Sequence, residues 1–230
     1  MKGPNAALFV DWRQSSQSDP PYAVYFFKEQ EYIRWDVDGQ RLFKGYPRSI
    51  QSGWPGLLEA VPGSILAGAI HVPRWHNRAF FFFRGQRRVV VWDIDNRRIE
   101  PDSPALSDVL PGRLIEDRVF TPLYVDNGEV QRIYAFRGDE YTRWTVDGTA
   151  YPSAEHAGYP RKIGDGWTGG LTVAPTCALS VNWSAAGTAP PNTKNYFFLG
   201  DLCVRWDVQS HTNNYTQDIA SGRKGWPTFG

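Results

Sequence analysis

An eleven-residue frame that returns four times limits what this chain can fold into. It first reads Tyr25-Phe26-Phe27-Lys28-Glu29-Gln30-Glu31-Tyr32-Ile33-Arg34-Trp35, and then recurs, read without gaps, at Phe82–Trp92, Tyr134–Trp144 and Tyr196–Trp206. The tryptophans are 57, 52 and 62 residues apart, and Asp36-Val37, Asp93-Ile94, Thr145-Val146 and Asp207-Val208 follow them. Physically the frame is a hairpin. Tyr25 and Phe27 alternate with the period of a half-buried strand. A short polar turn such as Arg137-Gly138-Asp139-Glu140 follows, with glycine (Gly85, Gly138, Gly200; Glu29 is the exception) where a tight hairpin wants positive φ. The second strand alternates again, which turns Arg34, Arg143 and Arg205 away from the neighbouring tryptophan.

Two more signals share the period. About nineteen residues after each tryptophan comes Gly53-Trp54-Pro55-Gly56-Leu57, then Val109-Leu110-Pro111-Gly112, Gly166-Trp167-Thr168-Gly169 and Gly225-Trp226-Pro227. Each reads as a helical turn stopped by Gly or Pro. Ahead of each hairpin lies a strand of mostly small residues, Asn5–Leu8, Ala67–Ile70, Phe120–Leu123 and Thr176–Leu179, as a crowded axis requires. A repeat of this length built from strands predicts a propeller. No single unit can bury both of its faces, and closing a ring protects the sheet edges. The expected fold is all-β, a four-bladed β-propeller with a short helix ending each blade. It forms one domain over residues 1–230, with blades at about 1–58, 59–114, 115–172 and 173–230.

The chain resembles the hemopexin repeat family. Asn5-Ala6-Ala7 matches its inner strand, Tyr134-Ala135-Phe136-Arg137-Gly138-Asp139-Glu140-Tyr141-Thr142-Arg143 its hairpin, and Trp54-Pro55-Gly56-Leu57 its blade end. Blade two departs most, with Gln86–Val90 in the hairpin and Leu110 in place of Trp. The resemblance implies recognition rather than catalysis, as in haem carriers, the substrate-binding modules of matrix metalloproteinases, vitronectin and legume seed albumins. It also implies an axial channel whose backbone carbonyls hold calcium or sodium. Carried over, a first ring is Asn5, Ala67, Phe120 and Thr176, and a second is Ala7, Ala69, Pro122 and Ala178. The family's usual first-ring Asp is absent at all four places. Carbonyl rings need no particular side chain to suit a hard cation.

Composition closes off other classes. With 25 Lys plus Arg against 24 Asp plus Glu, no basic excess points to nucleic acid. No apolar run reaches the length of a spanning helix. The opening Met1-Lys2-Gly3-Pro4-Asn5 lacks the apolar core of a signal peptide, which suggests a cytoplasmic protein, or an extracellular one without a visible signal. Cys177 and Cys203 read as two buried thiols. There is no His-Glu-x-x-His, Gly-x-Ser-x-Gly or P-loop, so no enzyme is expected. Asp36, Asp93 and Asp207 recur with the repeat and read as structural.

The ligand remains to be read. His71, His76, His156 and His211 are candidate haem ligands. A single propeller does not provide the two-propeller haem site that the resemblance would imply, so haem is not expected. Sugars need an aromatic face beside polar forks. Seven of the ten tryptophans belong to the repeat, leaving Trp12, Trp75 and Trp183. Two of these share a context, Val10-Asp11-Trp12 and Val181-Asn182-Trp183, so Asp11, Trp12, Asn182, Trp183 and Trp75 are candidate ligand-binding residues, with seam packing as the alternative. The expected function is non-catalytic binding of a carbohydrate or another small molecule, as a lectin or defence protein. The alternatives are haem, metal or polyamine binding or storage, as in the seed albumins, or protein interaction; a homodimer is compatible with each.

Overall fold

The structure, a computed structural model, describes residues 3–12, 22–37, 39–116, 119–183 and 192–219. The expected blade end Gly225-Trp226-Pro227 lies outside them. Four antiparallel sheets form a four-bladed β-propeller. Blade one holds β1 (Ala6–Asp11), β2 (Tyr22–Lys28) and β3 (Glu31–Asp36), with short pairings from β4 (Arg41–Leu42) and β5 (Arg48–Ser49). Blade two holds β6 (Leu66–Val72), β7 (Arg78–Phe83), β8 (Val90–Asp93) and β9 (Arg98–Ile99). Blade three holds β10 (Thr121–Asp126), β11 (Gln131–Arg137), β12 (Glu140–Thr145) and β13 (Arg161–Lys162). Blade four holds β14 (Cys177–Asn182), β15 (Thr193–Leu199), β16 (Leu202–Asp207) and β17 (Thr212–Asp218). The first three blades end in one-turn helices: α1 (Ile50–Gly53), α2 (Leu106–Val109) and α3 (Ile163–Gly166). No helix among the described residues is long and apolar enough to cross a membrane.

The innermost strands β1, β6, β10 and β14 pair only with the next strand of their own blade, so each is a sheet edge. They pack as a ring, β1 and β10 each touching both β6 and β14. Gly68 permits this crowding, because a Cβ there would collide with the Pro122 ring of β10. The core lies between blades rather than within them. Each of four apolar clusters draws on two neighbouring blades and fills one seam.

That arrangement corrects the half-buried strand expectation. β2 buries both faces, Ala23, Tyr25 and Phe27 into the seam with blade two, and Tyr22, Val24 and Phe26 into the seam with blade four. A second correction concerns blade two. Trp35, Trp144 and Trp206 pair with Val24, Ile133 and Asn195, whereas Trp92 pairs with Ala79. The counterpart of Tyr25 is therefore Phe80, and the ungapped frame fails there because the blade-two turn is two residues longer. In the other turns the backbone conformation is as expected, with Gly138 at φ 59° and Gly200 at φ 63°. Glu29 takes the same conformation at φ 54° without being glycine, and its N–H donates to Asn5 Oδ1 at 3.0 Å. The recurring aspartates hold turns: Asp36 accepts from Gly39 N, Asp93 from Asn96 N, and Asp207 from Gln209 N. Cys177 and Cys203 are free and buried, and burial pushes the Cys203 thiol up to about 12.

Candidate functional site on the propeller axis

Side chains two residues apart along an inner strand face the same way, so the four strands line the axis in tiers. A cavity of about 120 Å³ opens there. Its floor is Ala7, Ala69 and Ala178; above them come Phe9, His71, Tyr124 and Ser180; Asp11, Pro73, Asp126 and Asn182 ring the mouth. Tyr22 and Thr193, the pairing partners of Asp11 and Asn182, complete the rim. The site therefore grades from an apolar floor to a polar, acidic mouth.

The polar groups are held to different degrees. Asp126 accepts from Gly128 N at 2.8 Å and Gln131 Nε2 at 2.9 Å, and its carbonyl accepts from Thr193 Oγ1 of blade four at 3.0 Å. His71 is 5% exposed, and its Nε2 meets Asn77 Oδ1 at 2.7 Å. Asn77 Nδ2 in turn donates to Asp95 at 2.8 Å. Burial lowers the His71 pKa to about 4, opposed by the Asn77 contact and by the charges of Asp11 and Asp95, so the imidazole is neutral. Burial, and then the Asp126 carboxylate, push the Tyr124 phenol upward, opposed by Arg74. Tyr124 Oη and Ser180 Oγ are buried without a hydrogen-bond partner. Buried hydroxyls left open in this way favour a bound ligand or water.

The expected ion rings separate. Ala7, Ala69 and Ala178 floor the cavity, while Pro122 wedges against Gly68. Of the first ring, Asn5 spends its side-chain oxygen on Glu29 and Ala67 bulges between Leu66 and Gly68. Phe120 packs into the seam against Phe82, and Thr176 donates to the Phe198 carbonyl. Among the described residues, no three His, Cys, Asp or Glu side chains gather as metal ligands. A cation at either ring would need backbone carbonyls as donors, a set suited to sodium or calcium.

The structure splits the repeated Asp-Trp and Asn-Trp pairs. Asp11 and Asn182 meet at the axial mouth. Trp12, 6% exposed, turns into the seam between blades one and two, and half-buried Trp183 turns into the seam between four and one. Trp75 is 0% exposed against Phe80 and Tyr151 in the seam between two and three. Packing leaves Trp12 and Trp75 no free face for stacking on a sugar, while Trp183 stays partly exposed. His76, His156 and His211 are exposed. Tyr124, Asp126 and Ser180 line the cavity although nothing in the sequence singles them out, and His71, expected only as a haem ligand, joins them; continuing the i, i+2 alternation past the second ring finds all four.

The Hemopexin family model matches residues 16–57. Matrix metalloproteinase-21 of Xenopus laevis is 32% identical over 88 residues, covering 36% of this chain and only 13% of that protein's length. Among solved structures, LS24, a seed albumin from Lathyrus sativus, superposes with a TM-score of 0.66 at 17% identity, covering 96% of this chain and 95% of that one. The hemopexin fold protein CP4 from cow pea gives 0.64 at 19% identity, covering 99% and 96%. A plant lectin with two metal binding sites from Cicer arietinum gives 0.59 at 19% identity, covering 97% and 95%. At these identities the likeness establishes the fold, a four-bladed propeller of hemopexin type.

Proposed function

From a hemopexin-fold propeller with a polar axial mouth, we propose that this chain is a non-catalytic binding protein that takes a carbohydrate in the axial cavity. One observation carries the reading: Tyr124 Oη and Ser180 Oγ are buried and unpartnered beneath a rim of Asp11, Asp126 and Asn182. A sugar hydroxyl both donates and accepts, so it satisfies such groups together, and the stacked Phe9–Tyr22 pair at 6.0 Å supplies an apolar wall. The lectin among the structural neighbours supports the same ligand class. His71 acts as a strut to Asn77 rather than as a base. With its Nε2 engaged, it is also poorly placed to ligate haem iron.

A second reading rests on the two mouth carboxylates, Asp11 and Asp126, above edge-strand carbonyls. These favour calcium, sodium or a polyamine at the axis. A glycan array run with and without calcium tests both readings. Specific binding that falls at least tenfold in Tyr124→Phe, with unfolding unchanged, supports the sugar site. An array blank under both conditions defeats it, and saturable calcium or spermine binding lost in Asp126→Asn would leave the cation reading standing.

A further inference from the structure

The three tryptophans outside the repeat share a role. Trp12 stands edge-on to Tyr25 at 6.4 Å and 72° in seam one–two. Trp183 stands edge-on to Tyr196, the equivalent tyrosine, at 6.4 Å and 68° in seam four–one. There its Nε1 donates to the Tyr196 hydroxyl at 3.0 Å. Trp75, from one position later in its blade, covers Phe80 at 5.2 Å and 82° in seam two–three. Three of the four seams are thus plugged by an indole against the same hairpin position.

Among the described residues, the fourth seam, between blades three and four, has no plug. Its equivalent tyrosine is Tyr134, and the chain after β10 reads Val125-Asp126-Asn127 where blade one reads Val10-Asp11-Trp12. The Asn127 side chain turns back to its own loop, accepting from Val130 N at 2.8 Å and Glu129 N at 3.2 Å. The space that Trp12 fills in seam one–two is here a cavity of about 170 Å³, and Tyr134 is half-buried where Tyr25 is 5% exposed. Facing it from blade four is Asn195, 2% exposed, with its side-chain oxygen unpartnered; the residue at that register in blade two is Ala79. Arg132, Arg143 and His211 also line the cavity, so it is partly polar, and a volume of about 150 Å³ has room for a benzene ring.

We propose that seam three–four is a binding site for a small planar aromatic molecule carrying an N–H donor, of indole type. The ring takes the place that Trp12 fills, edge-on to Tyr134. Its N–H is satisfied by the Tyr134 hydroxyl, as Trp183 is by Tyr196, or by the open oxygen of Asn195. This site lies off the axis and is independent of the axial cavity.

Calorimetric titration of the whole chain with indole tests it. One saturating equivalent is expected, with affinity falling at least tenfold in Asn127→Trp, which supplies the missing plug from the chain itself. Should that variant not fold, Asn195→Leu intrudes on the same space from the opposite wall and is expected to have the same effect. Absence of saturable binding to the natural chain overturns the proposal. So does indole binding that survives whichever of the two variants folds, or a seam that takes a monosaccharide in place of indole.

Discussion

Seams one–two and three–four have nearly the same walls and different contents. Tyr25 meets Trp54 at 5.2 Å, and Tyr134 meets Trp167 at 5.3 Å. Tyr32 meets Tyr46 at 5.3 Å, and Tyr141 meets Tyr159 at 5.4 Å. Phe27 meets Phe81 at 5.7 Å, and Phe136 meets Phe197 at 5.6 Å. Even the guanidinium stacking repeats, with Arg48 over Tyr46 and Arg161 over Tyr159 both at 4.8 Å. Within this common cage, one seam holds Trp12 capped by Arg97 at 5.5 Å, and the other holds space. The repeat therefore builds the cage, and the residue just after the inner strand decides whether it is filled by the chain or left for something else.

The most severe way to break this comparison is to remove the plug. Trp12→Ala should cost about 3–5 kcal/mol in chemical denaturation, and indole should restore part of the lost melting temperature by occupying the emptied seam. A loss below about 1 kcal/mol would mean that Trp12 does not fill its seam, and the contrast with seam three–four would collapse.

A pH series separates the seams from the axis. Folded His71 takes a proton only near pH 4, whereas the unfolded imidazole does so near 6.5. Between these values the unfolded state binds more protons. Stability is therefore full above about pH 6.5 and declines as pH falls toward 4, by about 3 kcal/mol from this group. His71→Gln should flatten that decline, while Trp12→Ala should begin lower and keep the same slope. Equal slopes in all three proteins would remove His71 from the account.

The smallest effect concerns the opposite wall. Truncating a hydrogen-bonded buried amide costs about 1–3 kcal/mol. Asn195→Ala removes an oxygen without a partner and makes blade four resemble blade two at Ala79, so stability should change by less than about 1 kcal/mol, measured by the same denaturation. A larger loss would show that Asn195 is bonded within the fold rather than waiting for a ligand.

Much of this architecture can be read from the residues. The hairpins, the small-residue inner strands and three of the blade-end turns follow from alternation, glycine and proline. Blade two hides its longer turn because Gly85 falls near the place where an ungapped reading expects a glycine. Strand pairing at Trp92–Ala79 reveals the shift, and pairing is a long-range fact. Val10-Asp11-Trp12 and Val181-Asn182-Trp183 draw the eye to their tryptophans, although Trp12 is buried in its seam and Trp183 packs on Trp35 and Tyr196. The informative copy is Val125-Asp126-Asn127, where a missing ring leaves nothing to notice until the other blades are laid beside it. His71 is legible in Ile70-His71-Val72 only as a possible haem ligand, since only the register of β6 turns it toward the axis and Asn77.

The seam between blades four and one joins the two ends of the described chain, with Trp35 against Trp183 at 5.8 Å and Phe26 against Phe198 at 5.9 Å. During synthesis, Trp35 must wait for about 150 further residues before its partner exists, on the order of 10–30 s at a typical translation rate. Through that interval the outward face of blade one, with Tyr22, Val24 and Phe26, is an uncovered apolar sheet. A nascent chain of this kind is most exposed to aggregation just before its last blade emerges, and its yield in cells will depend on what shelters blade one until then.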